Sequence, residues 1–390
     1  MSVVAPAGFA AAGGACGIKD SGRPDLAVVA TVDGAPVPAA GVFTTNLAPA
    51  APVQVSRAHL LATGGRAAAV VVNSGNANAA TGTPGLAVAE RMCELTAGVV
   101  GCAAHAVLVC STGLIGIPLP LAPLEQGIPL IAGGRGASPD RGAAAATAIL
   151  TTDTRAKEIV VRSGDGWSIG GMAKGAAMLA PNMATMLAVL TTDAAVEPTQ
   201  LQAVLRAAVA DSFDAISVDG CTSTNDTVLL LASGRAGVPD IDQFRTALAD
   251  ACADLAAQMV GDAEGATKVV TVRVVGARDD AEARRAARKV AESQLVKCSL
   301  FGADPYWGRV VSELGTAGVS FDPDRVEVAY GDITVCRDGV AAPHDGAALA
   351  AYMGGRKLAI RCDLRLGAGR GVILTNDLSP GYIDENMRTS

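Results

Sequence analysis

The chain has 390 residues, half of them apolar, with 31 basic against 38 acidic side chains and a net charge of −7. That composition excludes a disordered protein and suits one large domain or two of medium size. No Lys/Arg block or basic patch interleaved with aromatics occurs, no apolar run reaches membrane-spanning length, and no cation precedes Lys19 as in a signal peptide. Nucleic acid and membrane are therefore not expected partners, and a cytoplasmic protein is expected.

In chain order, apolar runs predict strands over Leu26–Val32 and Ala67–Val72, the second followed by a polar, glycine-containing turn at Asn73–Asn78. A helix is predicted over Leu86–Val99 and a strand over Ala106–Cys110, closed by a sharp turn at Ser111-Thr112-Gly113. The Gly/Pro-rich stretch Gly116–Asp140 reads as connecting structure around a short helix. A strand at Glu158–Val161 precedes a glycine-containing loop from Lys174, and Thr185–Leu190 suits a buried strand. Helices follow at Pro198–Ser212 and at Ile241–Val260, the latter with Asp240 as N-cap after Pro239. Strands at Val228–Ala232 and Lys268–Val275 flank that helix. Residues 276–280 mark a domain boundary, with a smaller C-terminal domain over about 277–390. It holds a helix at Asp280–Ser293 and alternating runs at Arg325–Cys336 and Lys357–Leu366. The result is a mixed α/β protein whose order is too irregular for a Rossmann domain or a barrel.

Familiar catalytic sets are missing. His59, His105 and His344 sit in no recognisable catalytic frame, and there is no GxSxG elbow, Walker loop or GxGxxG after a strand. Nine scattered cysteines form no CxxC pair, so neither a disulfide framework nor a zinc site is indicated, and no metal is expected.

The segment from Lys174 to Asp193, KGAAMLAPNMATMLAVLTTD, admits two readings. In one it is a loop entering a core strand. In the other, the Thr185 hydroxyl attacks the preceding Ala184 carbonyl, shifting the acyl group from nitrogen to oxygen, and hydrolysis of the ester frees an N-terminal threonine. The freed α-amine has a pKa of about 7.7–8.0, so it can serve as the base for its own hydroxyl. Small Ala184 limits crowding at the scissile carbonyl.

This segment closely resembles the KGxGM-x-xPxMATML cleavage region of the glutamate N-acetyltransferases, or ornithine acetyltransferases. The resemblance extends over nearly the whole chain: Gly17-Ile18-Lys19, Gly41-Val42-Phe43-Thr44, Asn73–Asn78, Cys110–Gly116, Thr151-Thr152-Asp153, Ser223–Thr227, Asp262–Lys268 and Asp304–Arg309. It implies a self-cleaving enzyme with mixed sheets layered with helices, of the N-terminal-nucleophile-like kind shared by ornithine acetyltransferases and DmpA-type aminopeptidases. Cleavage at Ala184–Thr185 would give an α fragment, 1–184, and a β fragment, 185–390. Thr185 would be the nucleophile, Thr112 and Gly113 the oxyanion hole, and Glu264 the group handling the amine or its proton. Substrate contacts would fall at Thr152, Lys174, Thr185, Glu264 and Asn386, with Thr389 or Ser390, preferably Ser390, supplying a terminal hydroxyl. The implied reaction moves acetyl from N2-acetylornithine to glutamate through an acetyl-threonine, in arginine biosynthesis and without a cofactor, by an assembly of α2β2 or higher order. Acetyl-CoA as a further donor is left open. So is an amidase or aminopeptidase of the same fold that uses water as acceptor.

Three positions depart from the family pattern. Ala177 replaces a glycine, Tyr306 replaces an asparagine, and the C-terminus is about one residue shorter. A methyl group at 177 would hinder a positive φ.

Overall fold

Three apolar strands are among those buried along their whole length: LAVVAT at Leu26–Thr31, LAVLTT at Leu187–Thr192 and TVLLLA at Thr227–Ala232. A strand apolar on both faces needs a covering layer on each side, and the chain supplies four layers. The computed structural model describes residues 2–178 and 186–387, so Ala184, Thr185 and Ser390 lie outside the described residues.

Two units result. The first takes in the chain up to Asp214 together with Cys221–Met259. One of its sheets has the order β1-β2-β5-β6, from β1 (Phe9–Gly14), β2 (Leu26–Thr31), β5 (Ala69–Asn76) and β6 (Val107–Leu114). The other runs β4-β3-β10-β9-β8-β7, from β3 (Val37–Phe43), β4 (Arg66–Ala67), β7 (Lys157–Arg162), β8 (Ser168–Lys174), β9 (Leu187–Thr192) and β10 (Thr227–Ala232). Side chains of one parity meet between the sheets: Ala27, Val29, Val70 and Val72 with Leu187, Val189, Leu229 and Leu231. The opposite parity of the first sheet, Leu26, Val28 and Val71, packs against helices α1 (Ala51–Ala62), α2 (Gly82–Val100) and α3 (Leu121–Gly133). Helix α4 (Pro139–Ala148) lies against β1, and α5 (Pro198–Ala210) covers β3. Helix α6 (Ile241–Gly261) closes over the second sheet, with Phe244 set edge-on to Trp167 at 5.4 Å.

The second unit comprises Ala215–Gly220 and the chain from Val260. Its sheet has the order β14-β13-β12-β15-β11-β16, from β11 (Val269–Ala277), β12 (Glu327–Tyr330), β13 (Ile333–Arg337), β14 (Val340–Ala341), β15 (Lys357–Asp363) and β16 (Gly369–Asn376). Val270, Val272 and Val274 of β11 face a core built with α7 (Asp280–Glu292), α8 (Gln294–Phe301), α9 (Trp307–Gly315) and α10 (Gly346–Met353). Helix α11 (Pro380–Asn386) ends the described chain.

The mixed α/β layering and the smaller C-terminal unit agree with the sequence reading. The boundary does not lie near residue 277, however: β11 pairs with β15 and β16 and so belongs inside the second unit. The motifs read as turns at Asn73–Asn78 and Ser111–Gly113 continue β5 and β6 to Asn76 and Leu114, because each satisfies the other's backbone in a parallel pair. The loop read from Lys174 begins one residue later, since Lys174 closes β8 despite its two glycines. Residues 116–140 hold a 13-residue helix that tolerates Pro129.

Candidate active site

Parallel strands β5 and β6 end side by side, with Asn73 opposite Ser111, Ser74 opposite Thr112 and Gly75 opposite Gly113. Gly113 has φ +132°, and a Cβ there would lie 2.3 Å from the Gly75 carbonyl carbon, so only glycine permits this approach. Burial pushes the neighbouring Cys110 thiol up to about 12, which rules it out as a nucleophile at neutral pH.

Strand β8 delivers Lys174, 2 % exposed, to the same place. Its Nζ donates to Thr151 Oγ1 at 2.7 Å and Thr112 Oγ1 at 3.3 Å and lies 3.5 Å from Asp153 Oδ2. Asp153 Oδ1 accepts from Lys157 Nζ at 2.5 Å and from the Gly175 amide at 2.7 Å. Burial opposes ionisation of Asp153, but Lys174 and Lys157 outweigh it and hold the carboxyl well below the usual range. Two ammonium groups to one carboxylate leave these three residues with net positive charge beside Thr112. Such a centre suits a substrate carboxylate or a developing oxyanion.

Asp226 is the opposite case. It is fully buried, its Oδ1 accepts the Met186 amide at 2.8 Å, and its Oδ2 has no hydrogen-bond partner among the described residues. Burial drives its pKa well above the usual carboxylate value, against the Met186 hydrogen bond and with help from Asp214.

In the second unit Glu264, nearly buried, accepts from Asn386 Nδ2 at 2.7 Å. Asn386 also donates to the Tyr382 carbonyl at 2.8 Å. The loop holding Glu264 is braced on the segment leading into α11. Ser379 donates to the Gly265 carbonyl, and Asp377 accepts from the Thr267 and Lys268 amides. A Cβ on Gly265 would come within 2.2 Å of the Tyr382 nitrogen.

The structure thus groups Thr112, Gly113 and Lys174 in one unit and Glu264 with Asn386 in the other. Thr152 is exposed, and its neighbour Thr151 makes the bond to Lys174. The positive φ expected to trouble Ala177 falls instead on Met178, at +51°. Tyr306 is half exposed, its ring under the Arg309 guanidinium at 5.4 Å. Asp153, Thr151 and Asp226 received no role from the sequence. The clue to Asp153 was its place in Thr151-Thr152-Asp153, four residues before a lysine in a chain with few buried charges.

Fold and centre define a class: a two-unit α/β protein with a buried, positively charged lysine–threonine–aspartate centre where strand ends meet. The particular family follows from the whole chain. The model of the ArgJ family matches residues 10–389, and the chain belongs to that family. Over its full length it is 48 % identical to the arginine biosynthesis bifunctional protein ArgJ of Mycolicibacterium paratuberculosis, covering 96 % of that protein. It is 47 % identical to the protein of the same name from Thermobifida fusca, with complete coverage of both chains. Among solved structures, it resembles ornithine acetyltransferase from Mycobacterium tuberculosis, complexed with ornithine, at 44 % identity and a TM-score of 0.44. That match covers 46 % of this chain and 94 % of that one.

Proposed function

We propose that the protein transfers acetyl from N2-acetylornithine to glutamate through an acetyl ester on Thr185, after cleaving its own Ala184–Thr185 bond. The observation that carries this reading is family membership over residues 10–389, among relatives named as bifunctional proteins of arginine biosynthesis. In the first half-reaction Thr185 Oγ bonds to the acetyl carbon, the amide C–N bond breaks, and the ornithine amine leaves with a proton. In the second, the glutamate amine attacks the ester and Thr185 recovers its hydroxyl proton. The free α-amine of Thr185 carries the proton between steps.

Thr112 and Gly113 receive the oxyanion, with the Lys174 ammonium 3.3 Å from the Thr112 hydroxyl to favour negative charge there. Lys174 and Thr152 serve the substrate carboxylate, while Glu264, Asn386 and Ser390 serve the amine end. Donor and acceptor amides are alike, so the transfer is close to thermoneutral and calls on no cofactor. Acetyl-CoA would enter only as a second donor. A cytoplasmic α2β2 assembly is part of the same proposal and rests on family membership; among the described residues no helix is long and apolar enough to cross a membrane. The test is acetyl transfer to glutamate measured separately from N2-acetylornithine and acetyl-CoA. Transfer from acetylornithine is expected; release of acetate with no acetylglutamate would refute the reading.

A further inference from the structure

The motif Ser223–Thr227 remains without a role, yet its side chains reach both halves of the proposed chemistry. Asn225 Nδ2 donates to the Ser111 carbonyl at 2.8 Å and to the Ala77 carbonyl at 2.6 Å. Thr224 Oγ1 holds the other end of that amide, donating to Asn225 Oδ1 at 2.6 Å, so its orientation is determined. The next residue, Asp226, accepts the Met186 amide at 2.8 Å, and the Thr227 amide donates to the Met186 carbonyl at 3.1 Å. Ser111 precedes Thr112, and Met186 follows Thr185. The motif is itself clamped from β3, whose following residue Thr44 donates its amide to the Asp226 carbonyl and its hydroxyl to the Ser223 carbonyl. Every one of these groups lies in the first unit. Among the described residues the Asp226 Oδ2 has no hydrogen-bond partner, although it is buried.

We propose that Asn225 and Asp226 form a positioning pair: Asp226 fixes the residue after the nucleophile, Asn225 fixes the residue before the oxyanion donors, and together they set the span that the acetyl carbonyl must bridge. The inference rests on the reading of Thr185 as nucleophile. Neither side chain touches the substrate; each acts through the backbone of its neighbour. Near-attack geometry is sensitive to shifts of about 1 Å, which cost on the order of 10²-fold in rate.

The experiment compares Asp226→Ala, Asn225→Ala, Asp226→Asn and Thr185→Ala in the full chain, with rates expressed per folded molecule and, for the three variants that keep Thr185, per cleaved molecule. Both alanine variants of the pair are expected to lose about 10²-fold in kcat at nearly unchanged KM for acetylornithine. Asp226→Asn, which keeps an acceptor for the Met186 amide, is expected to recover most of the rate. A lowered melting temperature with kcat unchanged in both alanine variants would overturn the proposal, as would a loss confined to KM. Should Asp226→Ala yield no folded protein, Asn225→Ala decides by the same criterion. Normal turnover by Thr185→Ala would instead refute the functional reading. An inactive Thr185→Ala beside fully active alanine variants would refute the positioning pair alone.

Discussion

Replacing Asp153 by asparagine removes one negative charge from between two buried ammonium groups while keeping the shape of the side chain. Lys157 lies 2.5 Å from one carboxylate oxygen and Lys174 lies 3.5 Å from the other, with side-chain exposures of 0 %, 3 % and 0 % for Lys157, Lys174 and Asp153. Solvent cannot screen such a set. Removing one partner of a buried ion pair costs about 3–5 kcal/mol, because the charges left behind stay desolvated. A domain of 150–250 residues loses about 2–4 °C per kcal/mol, so the melting temperature should fall on the order of 10 °C. The exposed pair Arg91–Glu94 is the control, and Arg91→Ala should leave the melting temperature nearly unchanged because solvent screens it. Thermal melts followed by circular dichroism at low and high salt provide the assay, with the Asp153→Asn deficit insensitive to salt. The sign of the pH dependence follows from the depressed carboxyl pKa. Its stabilisation is present above the unfolded value of 3.8 and is lost as pH falls through the folded value, so the gap between wild type and variant should narrow in acid. A melting shift no larger than that of Arg91→Ala, or one erased by salt, would refute the reasoning.

Gly113→Ala should force the ends of β5 and β6 apart, since its Cβ would stand 2.5 Å from the Asn76 nitrogen. A loss of about 1–3 kcal/mol in urea unfolding is expected, together with a larger loss of transfer activity. Asp226→Asn should stabilise the fold at neutral pH and leave it unchanged in acid. Because the buried carboxyl has a raised pKa, it weakens folding as pH climbs above 3.8, a dependence that melts across pH will show. Glu264→Gln keeps an oxygen for Asn386 but removes the charge; transfer should drop by about 10²–10⁴-fold in steady-state assays while the chain is still cleaved.

Much of the fold was legible because long apolar runs such as Leu26–Thr31 and Thr227–Ala232 read the same in isolation as in the sheet. Strand β8 was missed because Gly170 and Gly171 depress strand propensity, and those glycines are affordable only beneath the packed layers around them. The polar ends of β5 and β6 read as turns because Asn, Ser and Gly favour turns locally, whereas here each strand supplies the other's hydrogen bonds. The same limit applied to the site. Lys174, Thr112 and Gly113 were named through motifs, but their link through Asp153 and Thr151 joins distant segments and leaves no spacing signal. Asp226 was invisible for a different reason: its raised pKa is a product of burial, and sequence shows only an aspartate.

Mass spectrometry of the protein incubated with N2-acetylornithine and no glutamate tests the central claim most directly. The account predicts two fragments, the second beginning at Thr185 and carrying a single acetyl group on that residue, which disappears when glutamate is added and reappears as acetylglutamate. An uncleaved chain that still transfers acetyl, a second fragment beginning elsewhere, or turnover with no acetyl ever found on Thr185 would contradict it.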